Sequence, residues 1–145
     1  MSYNIEQANS GYVSLTSGGL AVTTAKEKFK TVNTITFLIN GIFKSKTATD
    51  NLVFSSGHTS LAASQSCLFG VWLDTDGNVT TTQGPIVNTP DPCPVPPTPA
   101  NRALIGLIKV VCISTGAFIP GTTLTDATGV TTTFINAAIM PGTAQ

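Results

Sequence analysis

The chain has 145 residues, which is enough for one domain with a substantial core. Only 10% of its residues are charged, and seven basic residues balance seven acidic ones, so the net charge at pH 7 is zero. This balance disfavours nucleic acid as a partner, because phosphate binding needs a cluster of Lys and Arg. Soluble domains average about 25% charged residues, so we expect part of this surface to be covered by other protein subunits.

The sequence contains no segment that we expect to cross a membrane, and no secretion signal. Its longest apolar run, Ala103 to Ile113, is shorter than a membrane helix and contains Lys109. The N-terminal residues MSYNIEQ have neither a basic start nor an apolar core. We therefore expect a protein that is made in the cytoplasm and has no membrane partner.

The N-terminal half predicts an arm followed by short strands. Residues 1–10 are polar and without periodicity, so we expect them to form an N-terminal arm. Strands are expected at Tyr12–Leu15, Leu20–Thr24, Thr34–Ile39, Ile42–Lys44 and Leu52–Phe54. Asn40-Gly41 is typical of a type I′ turn, and Asp50-Asn51 is expected to break the chain. Ser55–Gln65 has the potential for one or two helical turns at most.

The clearest pattern is CLFGVWLDTDGNVTTTQ, residues 67–83, which predicts a hairpin around the only Trp. Cys67–Leu73 is almost entirely apolar, so we expect a central strand covered on both faces, with Trp72 buried in the main core. The Asp-Gly of the following turn tolerates the positive φ of tight hairpins. Val79–Thr82 is β-branched throughout, which suits a return strand.

A proline-rich segment separates this hairpin from the last strands. Six of the nine prolines lie in NTPDPCPVPPTP, residues 88–99, here called the proline loop. Prolines remove backbone donors, so this segment is excluded from the centre of a sheet, and we expect Asn88–Thr98 not to pair in a sheet at all. Ala103–Ile113 is apolar almost throughout and predicts a second central strand. Phe118–Gly121 predicts a turn, and Thr122–Thr125 and Val130–Ile135 predict two further strands.

About eight to ten short strands separated by turns are typical of an all-β fold. We predict a single antiparallel β-sandwich or jelly-roll-like domain over residues 11–145, with short terminal arms.

His58 is the only histidine, so a Ser-His-Asp hydrolase would have to use it as the base. Asp50 or Asp74 would complete such a triad, but no nucleophile motif of the type G-x-S-x-G is present. The simpler interpretation is that His58 caps the short turn at Thr59–Gln65. We therefore predict that the protein is not an enzyme and has no catalytic residues.

Residues 74–78, DTDGN, match the first part of a calcium loop. The Glu that completes such loops is missing, so an ordinary hairpin turn is the favoured interpretation. We predict neither a metal site nor a cofactor site.

The three cysteines have no zinc-ligand spacing. We expect Cys67 and Cys112 to be buried thiols of core strands, and Cys93 to lie in the exposed proline loop. Two states stay open for Cys93: a free thiol, which is favoured, or a bridge to another strand or a neighbouring subunit.

Three stretches of strand and turn carry a family resemblance. They are ITFLINGIFKSKTATDN, QSCLFGVWLDTDGNVTTTQGPI and RALIGLIKVVCISTGAFIPGTTLTDATGVTTTFINAAIMPG, and the resemblance covers about Thr34 to Gly142. Their motifs are F-x-I-x-G, F-G-V-W-L-D-x-x-G, R-A-L-I-G-x-x-K-V and the closing Met-Pro-Gly. In these features the chain resembles small structural proteins of tailed bacteriophages, of the head decoration, head fibre or virion structural type.

The resemblance implies a non-enzymatic virion subunit that is assembled in the host cytoplasm and contacts the major capsid protein or other virion subunits. The first expectation is a decoration or cement protein outside the capsid, which stabilises the shell by bridging capsid subunits. The alternative is a tail, baseplate or fibre protein with a receptor-facing surface. A small hydrolase or lectin-like domain is a third interpretation, which the single histidine and the few acidic residues disfavour.

The low charge also favours self-association, and a dimer or trimer is the closed form that we expect. Three segments are candidates for contacts between subunits: residues 1–10, residues 136–145 and Asn88–Thr98. We predict that at least one of them is ordered mainly by another subunit.

Overall fold

The computed structural model describes residues 12–123 and 125–137. Over these ranges the chain is all-β with antiparallel sheets, as the sequence predicts. The strands of the described ranges are β1 (Tyr12–Ser14), β2 (Leu20–Val22), β3 (Phe29–Thr31), β4 (Ile35–Ile39), β5 (Ile42–Lys46), β6 (Thr49–Leu52), β7 (Gln65–Leu73), β8 (Val79–Gln83), β9 (Val87–Asn88), β10 (Ala103–Cys112) and β11 (Val130–Asn136). None of the described residues belongs to a helix that is long and apolar enough to cross a membrane.

The main sheet has five strands, in the order β11-β10-β7-β8, with β9 paired to β7 as well. The predicted central position of β7 and β10 is confirmed. In β7, every residue except Gln65 is buried, so this strand is covered on both faces. β10 carries a bulge between Leu104 and Gly106, where the pairing with β7 shifts by one residue.

Two three-stranded sheets complete the fold, with the orders β1-β4-β5 and β2-β3-β6. The link between β4 and β5 is the predicted two-residue turn. Its φ angles are 51° at Asn40 and 75° at Gly41, and positive φ at both positions defines a type I′ turn. β5 continues past the predicted end at Lys44 to Lys46.

One apolar core joins the three sheets, which is compatible with a β-sandwich; the jelly-roll form stays a prediction. Phe54 is central to this core: its ring contacts Phe69 of β7 at 5.1 Å, Phe29 of β3 at 5.4 Å and Phe118 at 5.8 Å between centroids. All three pairs are edge-on, a geometry worth about 0.5–1.5 kcal/mol per pair beyond the area buried. The other buried members are Leu20, Ile35, Phe37, Ile39, Leu61, Cys67, Val71, Leu73, Ala103, Ile105, Ile108, Val110, Cys112 and Val130.

Two predictions are wrong around β6. Asp50 and Asn51 lie inside this strand instead of breaking the chain, and the strand ends at Leu52. Asn51 adopts a φ of 57°, which Asn tolerates better than most residues. The predicted strand Leu52–Phe54 is therefore displaced towards the N-terminus, although the ring of Phe54 still enters the core. β3 was not predicted, because its three residues directly follow a charged stretch.

Two further corrections concern short segments. Ser55–Gln65 forms no helical turn; it contains hydrogen-bonded turns and an isolated bridge between Leu61 and Phe118. The predicted strand Thr122–Thr125 is wrong for its described residues: Thr122, Thr123 and Thr125 lie in turns and bends, and Thr122 donates its N–H to Ile119 O. Its Leu124 lies outside the described residues.

The structure describes only a small part of the predicted terminal arms. Residues 1–10 and the closing Met140-Pro141-Gly142 lie outside the described residues. Asn136, predicted to begin an irregular tail, is instead the last residue of β11.

Candidate functional site: surfaces of the two hairpins

Trp72 lies on the outer face of the main sheet, meaning the face that points away from the core. The side chain is 4% exposed, which confirms the predicted burial. Its predicted place in the main core is wrong, because strand alternation gives Phe69 and Leu73 to the core and Trp72 to the opposite face. The indole Nε1 donates to Thr82 Oγ1 of β8 at 2.8 Å, which satisfies its only donor.

A glycine makes room for this indole. A Cβ on Gly70 would stand 2.5 Å from Trp72 Nε1 and 3.0 Å from Thr82 Oγ1. The ring therefore lies across Gly70 and over the β7–β8 ladder, and it closes the outer face at this point.

The proline loop packs back against the same hairpin. Cys93 Sγ donates to Ser66 Oγ of β7 at 3.3 Å, and Pro96 is buried. A Cβ on Gly84 would stand 2.9 Å from the carbonyl oxygen of Pro94, so the loop and the end of β8 are in close contact. The proline loop therefore covers part of the β7–β8 hairpin, in addition to the part that Trp72 covers.

The start of the proline loop is not excluded from the sheet. Asn88 pairs with Gln65 as part of β9, which corrects the prediction that Asn88–Thr98 cannot pair. The loop therefore makes contacts with its own chain at β7 and at the end of β8. Val95 is its exposed apolar residue, with 68% of its surface accessible.

The turn at residues 74–78 is closed by a carboxylate. Asp74 Oδ1 accepts the backbone N–H groups of Asp76 at 2.9 Å and Asn78 at 2.8 Å. Partial desolvation raises the pKa of Asp74, but the bonds from Asn78 and Asp76 and the charge of Arg102 at 3.9 Å outweigh it and lower the pKa. The carboxylate is thus committed to an ordinary hairpin turn. In the part of the chain that is described, no three His, Cys, Asp or Glu side chains gather as metal ligands would.

The two hairpins touch at this turn. Lys44 of β5 donates its Nζ to the carbonyl oxygen of Thr75, and a Cβ on Gly77 would stand 3.8 Å from Lys46 Cδ. Both lysines of β5 therefore lie beside the turn that carries Asp74.

The tip of the β4–β5 hairpin is the most exposed apolar feature described. Ile42 is 60% exposed and Phe43 is 70% exposed. Each is paired with a residue of β4, Ile39 or Leu38, that is only 2% exposed. Because neighbouring residues of a strand face opposite ways, the tip exposes apolar surface on both faces. Sequence reasoning missed this surface, since an Ile-Phe pair looks the same in a covered strand.

His58 does not cap the turn that follows it, which corrects the simpler interpretation. Its Nε2 lies 2.7 Å from Thr81 Oγ1 of β8, and its ring lies 5.3 Å from that of Phe69. Thr81 Oγ1 already accepts the N–H of Ser55, so its own proton is free to bond the ring nitrogen. Burial lowers the pKa of His58, which favours this neutral, accepting form.

All three cysteines are free thiols. Cys67 and Cys112 are buried in β7 and β10, as predicted. Burial raises the pKa of Cys67 to about 11 and also raises the pKa of Cys112, which makes both unreactive as nucleophiles. Cys93 is half-buried against Ser66 rather than fully exposed.

No family model, no curated protein and no solved structure matches the chain. The resemblance to phage virion proteins therefore stays a prediction.

Proposed function

We propose that the protein is a non-enzymatic structural subunit of a virion, a decoration protein that binds the outside of a bacteriophage capsid. The observation that carries the proposal is the tip of the β4–β5 hairpin, where Ile42 and Phe43 are 60% and 70% exposed. Adjacent exposed apolar residues on both faces of a hairpin are typical of a contact surface.

The composition supports the same function. A chain with zero net charge and 10% charged residues has little electrostatic repulsion to keep it apart from other proteins. A subunit that is held among many neighbours has no need of such repulsion. The resemblance in the strand and turn motifs supports the capsid as the specific partner.

The hairpin tip has a suitable support. Its base is fixed by β4, which is buried, and by the bond from Lys44 to Thr75. An apolar hairpin tip with a rigid base loses little conformational entropy when it enters a pocket between capsid subunits. Bridging two such subunits would stabilise the shell.

The binding test compares two variants on purified phage particles that lack the protein. Ile42→Ser combined with Phe43→Ser should weaken binding by at least about tenfold, as expected for a central apolar anchor. Val53→Ser, which removes a side chain that is 55% exposed elsewhere, should bind as the parent does. Equal binding of the double variant and the parent would overturn the assignment of this surface.

The alternative is a tail, baseplate or fibre protein, and the number of copies separates the two roles. A decoration protein occurs in numbers comparable to those of the major capsid protein, whereas a tail protein occurs in few copies. Quantitative staining of purified particles should therefore give a band comparable in molar amount to the capsid band. A faint band would favour the tail, and an absent band would contradict both roles.

A further inference from the structure

We infer that β11 pairs edge-to-edge with β11 of a second copy, so that the main sheets of two copies join into one continuous sheet. This inference goes beyond the proposed function, which requires no particular oligomer. It starts from the position of β11 at one end of the main sheet. No other described strand pairs with its far side.

Two backbone hydrogen bonds show which backbone groups of β11 are available. Ile113 donates its N–H to Gly129 O at 2.9 Å, and Ala137 donates to Ile105 O at 2.9 Å. Bonded pairs alternate along an antiparallel ladder, so the odd-numbered residues of β11 bond to β10. The N–H and C=O groups of Thr132 and Phe134 therefore point away from β10, into the open edge.

Three other strands at the borders of the sheets, β8, β5 and β6, are protected against such pairing. At β8, Ser55 Oγ accepts the N–H of Thr81 at 2.9 Å, and the amide of Gln83 bonds both backbone groups of Thr59. β5 carries two lysines, and charged residues on an edge discourage pairing. β6 is distorted by the positive φ of Asn51.

β11 has none of these protections. Its sequence VTTTFIN contains no charge, no proline and no glycine over seven residues. A long, neutral edge of β-branched and aromatic residues is a template for another strand. Its neutrality fits an identical strand in particular, because no like charges meet when it pairs with itself.

A twofold axis beside Thr133 defines the register between β11 of one copy and β11 of the other. It places Thr132 opposite Phe134 of the other copy, and these are the residues whose backbone groups are free. The two Thr133 residues then face each other as a non-bonded pair, an arrangement in which Thr–Thr contacts are favourable. Ile135, which is 43% exposed, comes to lie opposite Thr131 of the other copy and loses part of its exposure. β2 lies near the C-terminal end of β11, where Leu20 N–H bonds Asn136 Oδ1 at 2.7 Å.

The first test is the mass of the full chain by sedimentation over a range of concentrations. The parent should be a dimer. Thr132→Pro removes an N–H that points outward and costs no side-chain bond, because Thr132 Oγ1 has no hydrogen-bond partner. This variant should raise the dimer dissociation constant at least about tenfold, whereas Thr98→Pro in the exposed part of the proline loop should leave it unchanged.

The second test determines the register between the two strands by cysteine cross-linking. It does not require that β11 tolerate a proline. In a Cys93→Ala background, Thr133→Cys should give a disulfide-linked dimer on mild oxidation, because the axis puts the two sulfurs within bonding reach. Thr131→Cys is the matched control and should stay monomeric in a denaturing gel. A monomeric or trimeric parent, unchanged association of Thr132→Pro, or equal cross-linking of the two cysteine variants would each overturn the inference. Particle binding is measured separately, so a monomer that still binds particles contradicts β11 pairing alone.

Discussion

The β7–β8 and β4–β5 hairpins begin from similar sequences, and β4 is mostly buried as β7 is, but β5 has surroundings opposite to those of β7. Both have an apolar strand, a glycine-containing turn and a return strand. In β7 every residue but Gln65 is buried, because the core covers one face and Trp72 and the proline loop cover the other. In β5 no residue is buried, because this strand lies at the edge of a small sheet. Burial of an apolar hairpin thus depends on what the rest of the chain places against it.

The comparison separates two roles within one molecule. The β7–β8 hairpin is where the chain uses its own segments to complete the fold. The β4–β5 tip is where apolar surface remains for another protein. Changes to the first hairpin should therefore reduce stability, and changes to the second should reduce binding.

The largest expected effect is that of Trp72→Ala, which should lower the free energy of unfolding by about 3–5 kcal/mol. The substitution removes a large buried ring from the outer face and leaves Thr82 without its donor. Urea unfolding measures the loss. Trp72→Phe is the control: it keeps most of the ring and should cost clearly less. Equal losses for the two variants would mean that packing on this face contributes little.

Replacing Asn88–Thr98 by a short Gly-Ser link should lower the free energy of unfolding by about 1.5–3 kcal/mol, the value of burying one large apolar side chain. The reason is that the loop buries Pro96 and contacts Ser66 and Gly84. Unchanged stability would show that the loop covers nothing of energetic importance.

Acid should destabilise the protein through His58. Its folded pKa lies below the ordinary value of about 6.5, so the folded state binds the proton less well than the unfolded state. Its contribution is fully present above pH 6.5 and is lost as the pH falls towards the folded pKa. Urea midpoints should decrease from pH 7 to pH 5, and they should decrease less for His58→Gln. Parallel pH profiles for parent and variant would assign the effect to other groups.

The smallest expected effect on stability is that of Ile42→Ser with Phe43→Ser. Both side chains are mostly exposed, so the free energy of unfolding should change by no more than about 0.5 kcal/mol per substitution. Thermal unfolding of the double variant beside the parent measures this. A large loss would mean that the tip belongs to the fold and is not available for binding.

Much of the fold could be predicted from local patterns. The central strands β7 and β10 were predicted from continuous apolar runs, and the turn between β4 and β5 was predicted from Asn40-Gly41. Patterns of this kind act over a few residues and need no knowledge of distant neighbours. The misplaced strand at β6 and the missed β3 are short elements, which form because of tertiary pairing rather than local preference.

The surfaces were much harder to predict, because they depend on contacts between residues far apart in sequence. The burial of Trp72 was predictable, but its face was not, because an almost fully apolar strand gives no alternation to read. Nothing near Cys93 indicates that the proline loop would fold back onto Ser66. Likewise, Ile42 and Phe43 have the same local pattern as a buried pair, and only the position of β5 at a sheet edge leaves them exposed.

The most direct test of the central claim is hydrogen exchange of the protein with and without purified phage particles. In the free protein, the backbone of β7 should exchange slowly and the tip of β4–β5 quickly, because only the first is covered on both faces. When particles are added, protection should increase at Ile42–Lys46 and stay unchanged in β7–β8. Protection that appears only in the proline loop or the main sheet, or nowhere at all, would contradict the account.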